Sequence, residues 1–178
     1  TIQVVADNVE TTYGTEAELT CQFDQTQLAF EDVLAGGLQR QAGTDVGTYN
    51  ITIGDLQTSN PNYQIDFVGA TYTINKMQLT IDASQNSKIY GQKDGALAYT
   101  ITEGSLLFDD VLTGTLSREQ GETAGQYQIF ANTLAHKNYQ INLTECYFVI
   151  NKRAIDVAAV SSQKTYGQAD GVLTYVST

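Results

Sequence analysis

The side chains in this sequence best suited to chemistry are two acidic pairs, Glu31-Asp32 and Asp109-Asp110. Each follows a similar apolar run, Leu28-Ala29-Phe30 and Leu106-Leu107-Phe108, so one arrangement occurs twice. Adjacent carboxylates are hard oxygen donors, and calcium is the ion they suit. That ion takes about 6 to 8 oxygens, and the acids nearest the ends of the two copies are the isolated Asp82 and Asp156. The sequence holds no Asp-x-Asp-x-Asp-Gly loop. A solvated turn, its carboxylates accepting from local backbone amides, is the preferred reading of Glu31, Asp32, Asp109 and Asp110.

The remaining candidates are weaker. His136 is the single histidine, set in polar Ala135-His136-Lys137-Asn138. A hydrolytic triad needs a Ser or Cys nucleophile held against the imidazole, and the matching region of the first copy has no His. An exposed loop residue is expected there. Cys21 and Cys146 stand opposite Tyr99 and Ala70 of the other copy, so neither reads as half of a recurring disulfide. Neither has a second Cys or His at zinc spacing. Nothing singles out two of the 20 acids as a glycosidase pair. Tyrosines can stack on sugars, but Tyr49, Tyr63, Tyr127 and Tyr139 recur on alternating strands, as core residues do. Asn50-Ile51-Thr52 and Asn142-Leu143-Thr144 are glycosylation sequons, relevant only in a eukaryotic secretory pathway. No catalytic residue, metal or cofactor is assigned, and the chain is not read as an enzyme.

The elements that would position these groups repeat at long range. Gly47-Thr48-Tyr49 returns as Gly125-Gln126-Tyr127, each followed by alternating apolar and polar residues: a turn feeding a half-buried strand. A Tyr-Gly pair occurs three times, Tyr13-Gly14, Tyr90-Gly91 and Tyr166-Gly167, at spacings of 77 and 76 residues. Alternating strands open each unit, at Ile2-Gln3-Val4-Val5, Leu79-Thr80-Ile81-Asp82 and Ile155-Asp156-Val157-Ala158. Gly36 and Gly114 fall at inward parity between leucines, where a glycine makes room for a ring or a bulge. A closing hairpin is expected, with arms Tyr63–Phe67 and Thr71–Ile74. These spacings divide the chain into a first module at 1–76, a second at 77–152 and an incomplete third repeat at 153–178. Almost no linker separates Lys76 from Leu79 or Lys152 from Ile155, which predicts stiff coupling.

The fold class is therefore all-β: two tandem small sandwiches of immunoglobulin-like type plus the start of a third. The Gly-x-Tyr strand entry is similar to the tyrosine corner of such sandwiches, in which the hydroxyl ties to nearby backbone. The rival is a β-grasp arrangement, with Phe30–Leu34 and Phe108–Leu112 as a short helix across a sheet. A net charge of −11 spread along the chain argues against nucleic acid and anionic membranes. No apolar run approaches the roughly 18 residues of a membrane span. Opening on Thr1-Ile2-Gln3-Val4-Val5, the chain reads as a segment of a longer polypeptide. Residues 153–178, short of their usual partners, are expected to be disordered or to pair with a neighbouring chain at a strand edge.

The ordered series of short motifs has a family resemblance. Tyr-Gly, Asp-Val-Leu-x-Gly-x-Leu, Val-Gly-Thr-Tyr-x-Ile, Asn-Tyr-Gln-Ile and Tyr-Thr-Ile-Asn-Lys follow in order in the first unit and return in the second. The second unit departs at Gly125, where Ala124 and Gln126 replace Val46 and Thr48, and closes on Val149-Ile150-Asn151-Lys152; the series begins again in the third. This resembles the MBG repeats of the Tyr-Gly-x type. The resemblance implies tandem, mostly β, non-catalytic modules of bacterial extracellular or adhesin-like proteins, located at the cell surface and flanked by further repeats. On that expectation the chain is a stiff spacer or stalk. The alternatives are a module binding a glycan or host protein, and the accessory region of a secreted enzyme. Within the motifs, Tyr13, Gly14, Gly47, Tyr49, Tyr90, Gly91, Gly125 and Tyr127 are expected to fix the fold.

Overall fold

A computed structural model describes residues 1–84 and 86–178, and it is all-β. The first repeat runs β1 (Ile2–Ala6), β2 (Val9–Thr12), β3 (Cys21–Phe23), β4 (Leu34–Ala35), β5 (Gln39–Arg40), β6 (Gly47–Thr52), β7 (Gln57–Thr58), β8 (Ile65–Val68) and β9 (Ala70–Asn75). The second runs β10 (Met77–Ala83), β11 (Ser87–Ile89), β12 (Tyr99–Glu103), β13 (Ser117–Arg118), β14 (Gly125–Phe130), β15 (Tyr139–Leu143) and β16 (Tyr147–Asn151). Each repeat folds into two main sheets, and in the first β4 and β7 form a separate two-stranded ladder. In the first their strand orders are β3-β1-β8 and β2-β9-β6-β5, and in the second β12-β10-β15 and β11-β16-β14-β13.

Alternation selects what these sheets bury. In β1, Ile2, Val4 and Ala6 point inward while Gln3 and Val5 point out, and Leu79 and Ile81 repeat this in β10. Ile51, Tyr72 and Ile74 close the first core from the opposite sheet, as Ile129, Phe148 and Ile150 close the second. Period-two patterning leaves each face with one chemistry, so the register cannot slip by one residue without exposing the core set.

The pairing departs from expectation at the end of each repeat. Tyr63–Phe67 and Thr71–Ile74 do not form a hairpin. Instead β8 pairs in parallel with β1, Ile2 opposite Ile65, and β9 pairs in parallel with β2, Val9 opposite Tyr72. The residue offset is 63 in both ladders, so the first and last stretches of the repeat lie side by side, and both bend from one sheet into the other. In the second repeat Met77 faces Tyr139 and Ser87 faces Val149, a constant offset of 62. At the bend, a side chain at Gly69 would sit 2.9 Å from the Ile51 carbonyl oxygen.

The helix of the β-grasp alternative does not form. Phe30–Leu34 and Phe108–Leu112 are turn and irregular backbone with short strand or bridge contacts, and the helical piece among the described residues is one 3-10 turn, Gln25–Gln27. Phe30 and Phe108 take positive φ, 58° and 52°, a left-handed conformation that breaks any helix through them. Gly36 and Gly114 serve neither a ring nor a bulge. With φ of 88° and 96°, they let backbone approach backbone, and an added Cβ would lie 2.3 Å from Asp55 O and 2.1 Å from Thr133 O. In the last residues β17 (Val157–Ala159) and β18 (Tyr175–Ser177) form an antiparallel ladder of their own, with every side chain from Arg153 to Thr178 exposed.

Candidate functional site

Two tyrosine arrangements carry the repeat. The first is the strand-entry corner. Tyr49 Oη donates to Asp45 O at 2.7 Å, and Tyr127 Oη donates to Thr123 O at 2.7 Å, so each ring is tethered four residues upstream. The glycine that makes room lies before the motif. A Cβ at Gly43 would fall 2.0 Å from Tyr49 Cε1, and one at Gly121 would fall 2.2 Å from Tyr127 Cε1. Gly47 and Gly125, the glycines of the repeated triplet, would accept a methyl group without collision. An arginine covers each corner. Arg40 lies 5.7 Å from the Tyr49 ring centre and 4.9 Å from Tyr72, and Arg118 lies 5.0 Å from both Tyr127 and Phe148, within cation–π range.

The second arrangement joins the repeats. Tyr13 follows β2 directly; its N–H donates to Asn75 O at 2.9 Å, and Gly14, with φ 85°, turns the chain away. Its ring leaves the first repeat and inserts into the second. The phenol donates to Asp110 Oδ2 at 2.9 Å, and the ring meets Phe108 and Tyr139 edge-on at 5.8 and 5.5 Å. Tyr139 Oη donates to the same Asp110 oxygen at 2.9 Å while accepting from Leu107 N at 2.8 Å. The acidic pair is thus divided. Asp110 is drawn inward beneath two phenols, and Asp109 beside it stays exposed. In the first repeat Glu31 is exposed, whereas Asp32 accepts from Tyr63 Oη at 3.0 Å and Asn60 Nδ2 at 3.2 Å. Neither aspartate is the freely solvated turn residue expected from sequence.

His136 is not an exposed loop residue either. Its side chain is 16% accessible, its ring lies 5.1 Å from that of Tyr139, and Nε2 is 3.5 Å from Asp110 Oδ1. Asn138 was not singled out by sequence, yet it completes the junction. Only 1% accessible, it accepts from Val46 N at 3.0 Å through Oδ1 and donates to Asp45 Oδ1 at 2.9 Å through Nδ2. The recurrence of Asn-Tyr at Asn62-Tyr63 and Asn138-Tyr139 was its one sequence signal. Lys137 Nζ adds an ion pair to Asp45 at 2.7 Å, exposed and screened by solvent.

Charge and burial suit this cluster to fastening. Burial first, and then the Asp110 carboxylate, push the Tyr13 and Tyr139 phenols above their ordinary pKa. They therefore stay neutral donors. Lys137, and after it Asn138, hold the Asp45 carboxyl below its ordinary value. No nucleophile is aimed at the Asp110–His136 pair. The cavity left between the repeats at Gly14, Arg40, Ile74 and Phe108 is about 80 Å³, against the roughly 300 Å³ or more of a ligand cleft. Among the described residues no three His, Cys, Asp or Glu side chains gather in a metal-holding group. The calcium candidates Glu31, Asp32, Asp109 and Asp110 are therefore not brought together. Cys21 and Cys146 are free and half-buried, and burial raises both thiols.

Equivalent residues meet different surroundings in the two repeats. Tyr13 is 5% accessible, but Tyr90, held by the same backbone bond to Asn151 O at 2.9 Å, is 52% accessible. Tyr166 of the third Tyr-Gly pair is fully exposed. The second repeat also carries ion pairs that the first lacks. Buried Lys88 contacts Asp94 at 2.7 Å and Glu122, and Arg118 contacts Asp94 at 2.7 Å and Glu122 at 2.8 Å. The residues matching Lys88, Asp94 and Glu122 in the first repeat are Thr11, Ala17 and Thr44, which leaves Arg40 beside Glu16 alone at 3.7 Å.

Repeated two-sheet units, each with a tyrosine-anchored strand entry and with a Tyr-Gly turn passing from one unit to the next, define a tandem β-repeat protein. The model of the MBG domain (YGX type) matches residues 2–73 and again 79–148, and the chain belongs to that family. No curated protein and no solved structure matches it.

Proposed function

We propose that these 178 residues are a non-catalytic spacer, a stiff segment of a bacterial cell-surface or adhesin-like protein that holds other domains away from the cell. The observation that carries this reading is the inter-repeat junction. A passage through the single residue Lys76, from Asn75 to Met77, is reinforced by Tyr13 on Asp110, Val46 on Asn138 and Asp45 on Asn138, so bending there breaks several part-buried hydrogen bonds. An enzyme has no need to fix two non-catalytic units so firmly, and a spacer does. The negative charge suits an exposed surface, since like-charged copies repel. Extracellular placement is part of this reading and rests on the family.

Residual dipolar couplings measured on the 178-residue chain test stiffness directly. One alignment tensor for both repeats is the expected result, and two independent tensors would overturn the spacer reading. A glycan or host-protein array decides the rival: specific, saturable capture by a surface loop such as Gln57–Asn62 would make this a binding module instead.

A further inference from the structure

The outward faces of the two four-stranded sheets carry opposite chemistry. In the first repeat, Thr12 of β2, Thr71 and Thr73 of β9 and Thr52 of β6 point away from the core. Their counterparts on β11, β16 and β14 of the second repeat are Ile89, Tyr147, Val149 and Phe130. Each threonine is thus matched by a larger apolar side chain, at four positions drawn from three strands of one face. Ile89, Tyr147 and Phe130 are 44%, 41% and 43% accessible.

The ladder registers join these residues. Tyr147 stands opposite Gln128, which places Phe130 one diagonal step away, and Val149 stands opposite Ser87, which places Ile89 one diagonal step away. Diagonal neighbours lie roughly 7 Å apart, within reach of aromatic and long side chains, so the four form one stripe about 20 Å long. Exposed Gln126, Gln128 and Asn151 flank it on the same face. Packing of a following repeat does not cover this face: in the first repeat Thr12, Thr52 and Thr71 stay exposed beside the second.

Charge and size select the occupant. The stripe and its flanking residues are uncharged in a chain of net charge −11, and Glu145, which accepts from Tyr147 Oη, marks the margin. A second copy would bring the same negative charge. A four-stranded face of five-residue strands offers on the order of 250 Å², well short of the roughly 800 Å² that each partner buries in a stable protein pair. The C–H faces of a sugar pack on the negative face of an aromatic ring, and amide side chains both donate to and accept from hydroxyl groups.

We propose that the Ile89–Val149–Tyr147–Phe130 stripe of the second repeat binds a neutral glycan. Sugar rings pack on Tyr147 and Phe130, and Gln126, Gln128 and Asn151 hydrogen-bond their hydroxyl groups. The site is open and shallow, so its dissociation constant is on the order of 1 mM. This goes beyond the spacer reading and does not depend on it, because the stiffness of the junction and the chemistry of this face are measured separately.

Nitrogen–proton correlation spectra of the whole chain, titrated with cellopentaose, chitopentaose and maltopentaose to about 10 mM, test it. At least one sugar should give saturable shifts confined to the amides of Gly125–Phe130 and Tyr147–Asn151. The paired substitution Phe130→Thr and Tyr147→Thr installs the first repeat's residues on an outward face, and should weaken binding about tenfold or more while far-UV circular dichroism stays unchanged. Gln126→Ala with Gln128→Ala keeps the apolar stripe and should weaken binding about threefold or more. The proposal is overturned if no sugar shifts these amides, if the shifts fall on Gln57–Asn62 instead, or if binding survives the threonine pair. Signals of this face that broaden with protein concentration alone would also overturn it, by making the stripe a contact between copies.

Discussion

Replacing Tyr13 and Tyr90 by alanine, one at a time, removes the same side chain from equivalent positions, only one of which faces a neighbouring repeat. Accessibility is 5% for Tyr13 and 52% for Tyr90, so the second repeat covers about half of the Tyr13 surface. A buried tyrosine removes about 200 Å² from water, which makes the difference about 100 Å². At ~25 cal/mol per Å² this is worth about 2.5 kcal/mol. Losing the phenol donor on Asp110 adds about 1 kcal/mol, moderated because Tyr139 still donates to that carboxylate. Tyr13→Ala should therefore cost about 3 kcal/mol more than Tyr90→Ala, whose ring lacks that cover. A two-repeat chain need not unfold in one step, so the loss is best read repeat by repeat. Native-state hydrogen exchange at the strand amides of Ile74 and Ile129 does this. Costs within ~0.5 kcal/mol of each other would refute the reasoning, because burial of Tyr13 would then be a property of its own repeat and not of the junction.

Two further perturbations separate the parts of the fold. At the strand-entry corner, Tyr127→Phe should cost about 1 kcal/mol for the lost bond to Thr123 O, and Gly121→Ala about 1–3 kcal/mol, because its methyl group would collide with the Tyr127 ring. Thermal melts compare both variants with wild type, and Gly125→Ala, at a glycine with open space around it, should change little. The third perturbation is pH. The Tyr13 and Tyr139 phenols have raised folded-state values, so their contribution is complete below the unfolded value of about 10 and is lost as pH rises through the folded values. Asp45 is depressed, so its contribution is present above about 3.9 and disappears as pH falls through its folded value. Urea midpoints should be flat between about pH 5 and 9 and fall above about 10, and Tyr13→Phe should blunt the alkaline fall.

Local chemistry was legible in the sequence to the extent that it was local. Alternation in Ile2-Gln3-Val4-Val5 and Leu79-Thr80-Ile81-Asp82 identified the buried faces, because a strand's period is set by its own backbone. The hydroxyl tie of Tyr49 spans four residues, so Gly-x-Tyr at a strand entry was enough to foresee it. The parallel pairing of Ile2 with Ile65 was not legible. Any two alternating strands satisfy the same pattern, and Tyr63–Phe67 and Thr71–Ile74 are close enough in sequence to suggest a hairpin. The junction was hidden for another reason. Asp109 and Asp110 are chemically alike, and which one turns inward follows from the left-handed backbone of Phe108 and Asp109 together with a tyrosine 97 residues away. The burial of His136 depends on that same packing. With no matching His in the first repeat, no recurrence pointed to it.

The parallel pairing at the ends of each repeat has a mechanical consequence. Chain enters the first repeat at the start of β1 and leaves it at the end of β9, while β1 and β2 lie alongside β8 and β9 and run in the same direction. Tension on the chain would therefore pull the two strand pairs lengthwise past one another. Their hydrogen bonds, from Ile2–Ile65 to Thr12–Asn75, would be strained together in shear and could not be unzipped one at a time. Asn75 passes within two residues to Met77, the first residue of the matching ladder, so the same pull would reach the second repeat in the same geometry. A fold with its terminal strands paired antiparallel would offer the weaker, peeling direction, whereas this one resists elongation along the line of its own chain.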